Sequence, residues 1–464
     1  MHQQARIRWA LLAAAAVCAA ALSAPPPKQE SQAASARAAE GPTGAEWVQM
    51  AKDVQAEVEK LRGWKFKTPV KTDVYDEAQL RRYLESKLFD QIYGGGKLRN
   101  TEAFLRTIGL IPGDCDLKQT FLDVLLNQVG GFYDPETKTF YMLKRSGVDY
   151  GPLLNRTLVA HELTHALDDQ YVDLQKLAFD PELSEDAALA VGSVLEGSAT
   201  ALMTRYMMQA MGSGQYDAAQ LAEVQMREMQ RAEPLLRAPP YFSALIAQYM
   251  CGMLFVYRGD PTKMAGDSNE ADDVLAALKD PPRSSEQILH PEKYWRAGRR
   301  DEPVLVDDRQ IQALIQSERR HVIHANTVGE LLCALLSSDE HRELNLIAAA
   351  QPTFWTNDAA TGWGGDRFYL LADGPDREAA SKGMKGLRGV WITAWDTADD
   401  RDEFIEDYLF ERALPQREVV RLAPRVAVFF YGFDDAERVA IEKKLVEAPL
   451  KLTCGGKPWN PARP

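Results

Sequence analysis

Residues 153–171 read LLNRTLVAHELTHALDDQY, and the pentapeptide His161-Glu162-Leu163-Thr164-His165 within them decides how the rest of the chain is read. No Gly or Pro interrupts the stretch, so it is expected to form one helix. Positions i and i+4 stack on one helical face, which lets His161 and His165 aim two imidazole nitrogens at one metal ion. Glu162 sits at the edge of that face, where a carboxylate reaches a water on the metal and can act as general base. Leu154, Leu158, Val159, Ala160, Leu163, Ala166 and Leu167 cover most of the circumference, and a helix that is apolar nearly all round is a buried one. Two histidines and a glutamate inside it are costly unless a cation satisfies them. A surface helix with a chance histidine pair is the competing reading.

A catalytic zinc needs a third protein ligand and an open coordination position. Ser184–Ala210 is a second long helical pattern, with Glu196 in the middle of its apolar face and Gly197, Ser198 and Ala199 beside it. Small residues there let another backbone approach closely. Glu196 is the expected third ligand; the alternative is a carboxylate paired with an arginine or a helix terminus. Glu185 and Asp186 are substitutes, but both fall at the helix start, where acids suit the helix dipole in any case. The site is expected to hold one Zn2+ per chain.

The chain has 464 residues, a net charge of −13 and no basic cluster, so nucleic acid is not an expected partner. Arg6 and Arg8 precede an apolar run from Trp9 to Leu22, followed by Ser23-Ala24 and three prolines. Residues 1–24 are therefore expected to be a signal peptide, exporting the protein to the periplasm or beyond. Cys18 raises lipoprotein anchoring, which Val17 before it disfavours. Residues 25–43, rich in Ala, Ser, Gln and Pro, are expected to be a flexible tether. No later stretch reads as a transmembrane helix. Cys115, Cys251, Cys333 and Cys454 permit two disulfides or four free thiols.

Ala45–Leu61, Asp76–Leu88 and Phe121–Val129 read as amphipathic helices. FYDPETKTFYML (132–143) is a hairpin signal. Its second strand is expected to form the sheet edge along which an extended polypeptide substrate adds, unless the hairpin is purely structural. From Ala218 to Ser337 the pattern is helical. Beyond residue 350 it alternates, with strands at Arg367–Leu371, Gly389–Trp395, Val419–Leu422 and Ala427–Tyr431 and helices at Ala398–Leu409 and Asp434–Leu445.

The segments GGFYDPETKTFYML (130–143), VAHELTHALDDQ (159–170), VLEGSATALM (194–203), SSEQILHPEKY (284–294) and NTVGELL (326–332) together give a chain that resembles the gluzincin branch of zinc metallopeptidases, and more narrowly a group of exported bacterial proteins of that type. The resemblance implies His161, His165 and Glu196 as ligands and Glu162 as base. It also implies a distant His or Tyr that stabilises the oxyanion, for which His290 and Tyr294 are the candidates. There is one departure. Thermolysin-like gluzincins carry an Asp four residues after the ligand glutamate to orient a histidine, and here that position is Thr200. Asp168, Asp169 or Thr200 is then expected to supply the hydrogen bond. His321, His324 and His341 lie in charged helical surroundings and are expected to be solvated.

The expected fold class is α+β: a mostly helical, zincin-like metallopeptidase domain with a small sheet (44–345), plus a smaller C-terminal α+β domain (350–464). That second domain is expected to modulate activity and to be dispensable for the zinc site after Ser338. The expected function is zinc-dependent endopeptidase hydrolysis of polypeptides. The other readings are a zinc-stabilised exported binding or scaffold protein with a degenerate site, and an amidase acting on cell-wall peptide bonds.

Overall fold

The computed structural model describes residues 42–462 apart from 145–150, 179, 181–182, 215–234, 236, 261, 264–269, 299, 340–345, 350, 413 and 415–416. The expected signal peptide, Cys18, most of the expected tether and His341 lie outside the described residues. Helix α1 (Gly44–Arg62) begins with a capping box in which Thr43 and Glu46 satisfy each other's backbone N–H groups. Thr43, the last residue of the expected tether, is thus the N-cap of a helix.

Three helices carry the centre of the molecule: α2 (Gly151–Asp169), α3 (Glu185–Gly212) and α4 (Pro240–Val256). Ser184 caps α3 by accepting the Ala187 N–H at 3.2 Å. Helices α2 and α3 run antiparallel, since Leu153 packs with Met207 and Arg156 Nε donates to the Tyr206 hydroxyl at 2.9 Å. Helices α3 and α4 cross with their backbones nearly touching. A Cβ on Gly197 would lie 2.1 Å from the carbonyl carbon of Gly252, and one on Gly252 would lie 1.9 Å from the Ser193 carbonyl oxygen. Only glycine fits at both positions, which is the close approach that the small residues beside Glu196 imply. Helix α3 is also the one helix among the described residues long and apolar enough to cross a membrane, and most of its apolar window is buried inside the fold.

Beside α2 lies a three-stranded sheet of β1 (Lys71–Tyr75), β2 (Gly131–Asp134) and β3 (Thr139–Leu143), in the order β1-β3-β2. The hairpin forms as read, but its second strand is central and not an edge. β1 pairs parallel to it and takes that side. The edge strand of the sheet is β2, whose four residues are buried and which packs on α2. Leu143 N–H donates to Gly130 C=O at 3.0 Å, and Gly131 faces Met142 in the register. By the alternation of an antiparallel ladder, the backbone groups of Gly131 and Tyr133 therefore point away from β3.

The C-terminal part holds a five-stranded antiparallel sheet, β5-β6-β7-β9-β8, formed by β5 (Arg320–Asn326), β6 (Trp363–Asp373), β7 (Lys385–Trp395), β8 (Arg417–Ala423) and β9 (Val426–Tyr431). Each strand expected beyond residue 350 is present. The helical reading up to Ser337 fails at β4 (Val304–Val306), which pairs with β10 (Leu452–Cys454), and at β5. A boundary at 345–350 therefore cuts through the sheet. His321 and His324 lie on β5, not on a helix. The His324 ring stands 5.3 Å from the Phe104 ring and burial pushes its pKa down to about 4, so the expectation that it is solvated is also corrected. The four cysteines described are free thiols, three of them buried.

The two parts share one core. The main buried cluster runs from Trp47 through Leu163 and Leu195 to Trp391 and Phe429. Tyr408 donates to Ile108 C=O at 2.9 Å, Asn100 to Ile323 C=O at 3.1 Å and Arg412 to Leu335 C=O at 2.5 Å. A chain ending at Ser338 would leave β5 without its β6 partner and uncover this core. It is expected to be insoluble or to lack a cooperative urea transition followed by circular dichroism; a soluble product with a sharp transition would show that the N-terminal part folds alone.

Candidate metal centre

Helix α2 brings His161, Glu162 and His165 into the interior, and α3 brings Glu196 opposite them. All four side chains are at most 2 % exposed. His161 Nε2 lies 3.1 Å from His165 Nε2 and 3.1 Å from Glu196 Oε2, while His165 Nε2 lies 3.5 Å from Glu196 Oε1. A tetrahedral site with zinc–ligand bonds near 2.0–2.1 Å has edges of about 3.3 Å between ligand atoms. The contacts among the two ring nitrogens and the two Glu196 oxygens lie close to that figure, and the nitrogen and oxygen donors suit zinc.

The unsatisfied groups support the same reading. Glu162 is fully buried, yet neither carboxylate oxygen has a hydrogen-bond partner. Burial pushes its pKa up to about 8; the His161 ring works against this and the Glu196 carboxylate adds to it. The Tyr133 backbone N–H, on the outward side of β2, approaches the carboxylate and favours its charged form. Burial would also raise Glu196, but the His165 and His161 rings hold it below the usual carboxylate range. The His161 ring stacks on Tyr249 from α4, with centroids 6.1 Å apart.

Arg62, at the end of α1, was not singled out in the sequence, and it ties α2 and α3 together. It is fully buried. Its Nη2 reaches Asp168 at 3.3 Å, three residues after His165, and donates to the hydroxyl of Ser198, two residues after Glu196. Ser198 in turn donates to Asp168. On its other side Arg62 reaches Glu270 at 3.4 Å, and Glu270 also holds Arg205 of α3 at 2.8 Å. Asp168 is thus a bracket between helices. Asp169 anchors the hairpin, accepting from Tyr133 at 2.6 Å and Lys138 at 2.7 Å. Thr200 is buried with its hydroxyl unpartnered. The signal that could have found Arg62 is a basic residue closing an amphipathic helix ahead of a cluster of buried acids, which spacing alone does not reveal.

His290 and Tyr294 are placed elsewhere. His290 Nε2 lies 2.8 Å from Glu330 Oε1; burial opposes its charge, but Glu330 outweighs that and raises the pKa. Tyr294 donates to Asp280 C=O at 2.6 Å and packs on Phe255 and Trp295. Among the described residues, no hydrogen bond, ring contact or ion pair joins either to His161, His165, Glu162 or Glu196. Asp186, a substitute ligand by sequence, accepts the Ser285 N–H at 3.0 Å, ten residues before Glu196 on α3. A second group of carboxylates, Glu286, Asp301 and Asp396, converges on the Lys293 ammonium, which lies 2.5, 3.5 and 3.4 Å from them.

Among known families, a domain of unknown function, DUF8575, matches residues 318–446. That span holds β5 to β9 and none of the four residues of the centre. No curated protein and no solved structure matches the chain.

Two outcomes follow from the buried charges. Arg62→Met removes the cation facing Asp168 and leaves Glu270 with Arg205 alone, so it should cost about 3–5 kcal/mol in urea unfolding; a loss under 1 kcal/mol would mean the network is not what joins the helices. Asp186 gives the pH dependence: burial raises its pKa to about 8, against about 3.9 in an unfolded chain. A raised folded pKa stabilises below the unfolded value and loses that contribution as pH rises through the folded one. Asp186→Asn should therefore melt higher than wild type at pH 9, with the gap closing towards pH 5. An equal gap at both pH values would count against a neutral Asp186.

Proposed function

We propose that this chain is a zinc metallopeptidase with a zincin-like arrangement, in which an edge strand lies over a metal helix and a second antiparallel helix supplies the last ligand. The observation that carries this reading is the meeting of the His161, His165 and Glu196 donor atoms at tetrahedral spacing beside Glu162, a buried carboxylate with no partner. A purely structural zinc site closes with four protein ligands, whereas three donors meet here and Glu162, the fourth group, is not among them. When bound, zinc polarises a carbonyl and makes water acidic near neutral pH. Glu162 takes the proton of the attacking water and returns it to the leaving amine. The depressed pKa of Glu196 suits a ligand and the raised pKa of Glu162 suits a proton carrier, two roles set by environment. Gly131 and Tyr133 turn their backbone groups away from β3, which favours an extended polypeptide laid along β2.

Export belongs to the same proposal, because Arg6, Arg8 and the apolar run Trp9–Leu22 read as a signal peptide. His290 is left as a partner of Glu330, and oxyanion stabilisation is not assigned to it.

The test is metal content together with turnover. The protein should hold one zinc per chain by atomic emission, and His161→Ala, His165→Ala or Glu196→Ala should each release most of it. Glu162→Gln should keep the zinc and lose roughly 10²–10⁴ in rate on any peptide the wild type cuts. Zinc retained in full by Glu196→Ala would remove that ligand, and near-normal turnover in Glu162→Gln would remove the base.

A further inference from the structure

We propose that the cavity at the end of the small sheet is a carboxylate-binding subsite, so that the favoured substrate is a peptide presenting a carboxylate, at its C-terminus or on an acidic side chain, close to the bond that is cut. This rests on the peptidase reading above.

The cavity has a volume of about 270 Å³, and Lys67, Tyr133, Lys138, Asp169 and Gln170 are among its lining residues. Two of these tie it to the metal centre. Tyr133 is the β2 residue whose backbone N–H approaches Glu162. Asp169 ends α2 one turn beyond His165, about 6 Å along the axis. A group bound in the cavity is therefore within one or two residues of a chain lying along β2.

The charge in the cavity is held in place. Lys67 Nζ donates to Gln170 C=O at 2.7 Å and sits 3.9 Å from the centre of the Tyr171 ring, which is itself stacked on Trp64. Neither partner neutralises it, and no carboxylate among the described residues pairs with it. The loop that carries it is clamped to the end of the metal helix. The Gln170 side chain accepts from Lys67 N–H at 2.6 Å and Thr68 N–H at 3.0 Å and donates to Thr68 C=O at 2.9 Å. Lys138 pairs with Asp169 at 2.7 Å, but its side chain remains 53 % exposed, which leaves ammonium hydrogens for a second acceptor. Lys65 and Lys71 flank the same loop in sequence. In a chain of net charge −13, a fixed and uncompensated ammonium beside the centre draws in a carboxylate that the rest of the surface repels. A charge-assisted hydrogen bond to it is among the stronger contacts a peptide can make.

The experiment uses the zinc-loaded full chain and one peptide made in three forms: free acid, C-terminal amide, and amide with a Glu in place of a Gln near the cut. The KM of a carboxylate form should be about tenfold below that of the neutral amide, and the difference should shrink as salt is raised. Whichever form responds shows whether the C-terminus or a side chain is recognised. Lys67→Gln should bring the KM of that form up to that of the neutral amide, while Lys67→Arg should keep the difference. Equal KM values in the wild type, or a preference that survives Lys67→Gln, overturns the subsite. If none of the peptides is cut, it is the peptidase reading that fails. The subsite is then tested by anisotropy titration of the same labelled peptides: carboxylate-dependent binding lost in Lys67→Gln upholds it, and binding that ignores charge, or no binding, overturns it.

Discussion

Two imidazole nitrogens and the two oxygens of one carboxylate meet at 3.1–3.5 Å among buried side chains. Lone pairs that close repel one another, and a buried carboxylate left to itself costs several kcal/mol. A protein holds such a group together only if a cation supplies what the side chains lack, or if protons take its place. Burial works against the charge of Glu196, and the two imidazole rings beside it nonetheless hold its pKa below the usual carboxylate range. Either way the cluster demands positive charge at one point, and the surrounding helices are arranged about that demand.

Their arrangement leaves little slack. Gly197 and Gly252 let α3 and α4 cross at backbone contact, which fixes the height of Glu196 against the Tyr249 ring stacked on His161. Arg62 fixes the other direction, since one guanidinium holds Asp168 on α2 and Ser198 on α3. The three elements that meet at Arg62 are far apart in sequence. The geometry of the cluster is therefore a property of the whole N-terminal packing and not of the pentapeptide that marks it.

That explains what could be read in the sequence and what could not. His161, Glu162 and His165 were legible because helical periodicity alone places them, and Glu196 because a lone carboxylate on an apolar face needs a reason. Arg62 and Tyr133 were not, because their roles depend on tertiary approach, for which one sequence carries no period. The second strand of the hairpin was misjudged as an edge for the same reason. β1 pairs with it in parallel from more than sixty residues upstream, and a parallel partner leaves no turn signal between the two strands. β5 was lost to a helical reading because the run Val322-Ile323 is short and sits among charged residues. His290 and Tyr294 were chosen for chemistry and lie in a loop whose partners, Glu330 and Asp280, spacing does not reveal.

The part matched by a domain of unknown function, residues 318–446, carries no residue of the centre but is joined to it by a short chain of polar contacts. Asp366 on β6 accepts the backbone N–H groups of Val328 and Gly329 at 2.8 and 2.9 Å, and so seats the helix Gly329–Leu336. Gly329 is pressed against Asp186, where any side chain would collide with the carboxylate. Asp186 holds Ser285, and Ser285 Oγ accepts the Leu331 N–H at 3.1 Å and so closes the loop back onto that helix. Asp186 stands near the start of α3, and Glu196 follows ten residues later on the same continuous helix. A displacement of the sheet would act first on the start of α3 and would reach Glu196 as a shift along the helix axis. The glycine crossing with α4 resists such a shift, because the two backbones already touch. The C-terminal sheet therefore serves the centre by holding α3 in place, a role that needs contact and burial and calls for no catalytic side chain.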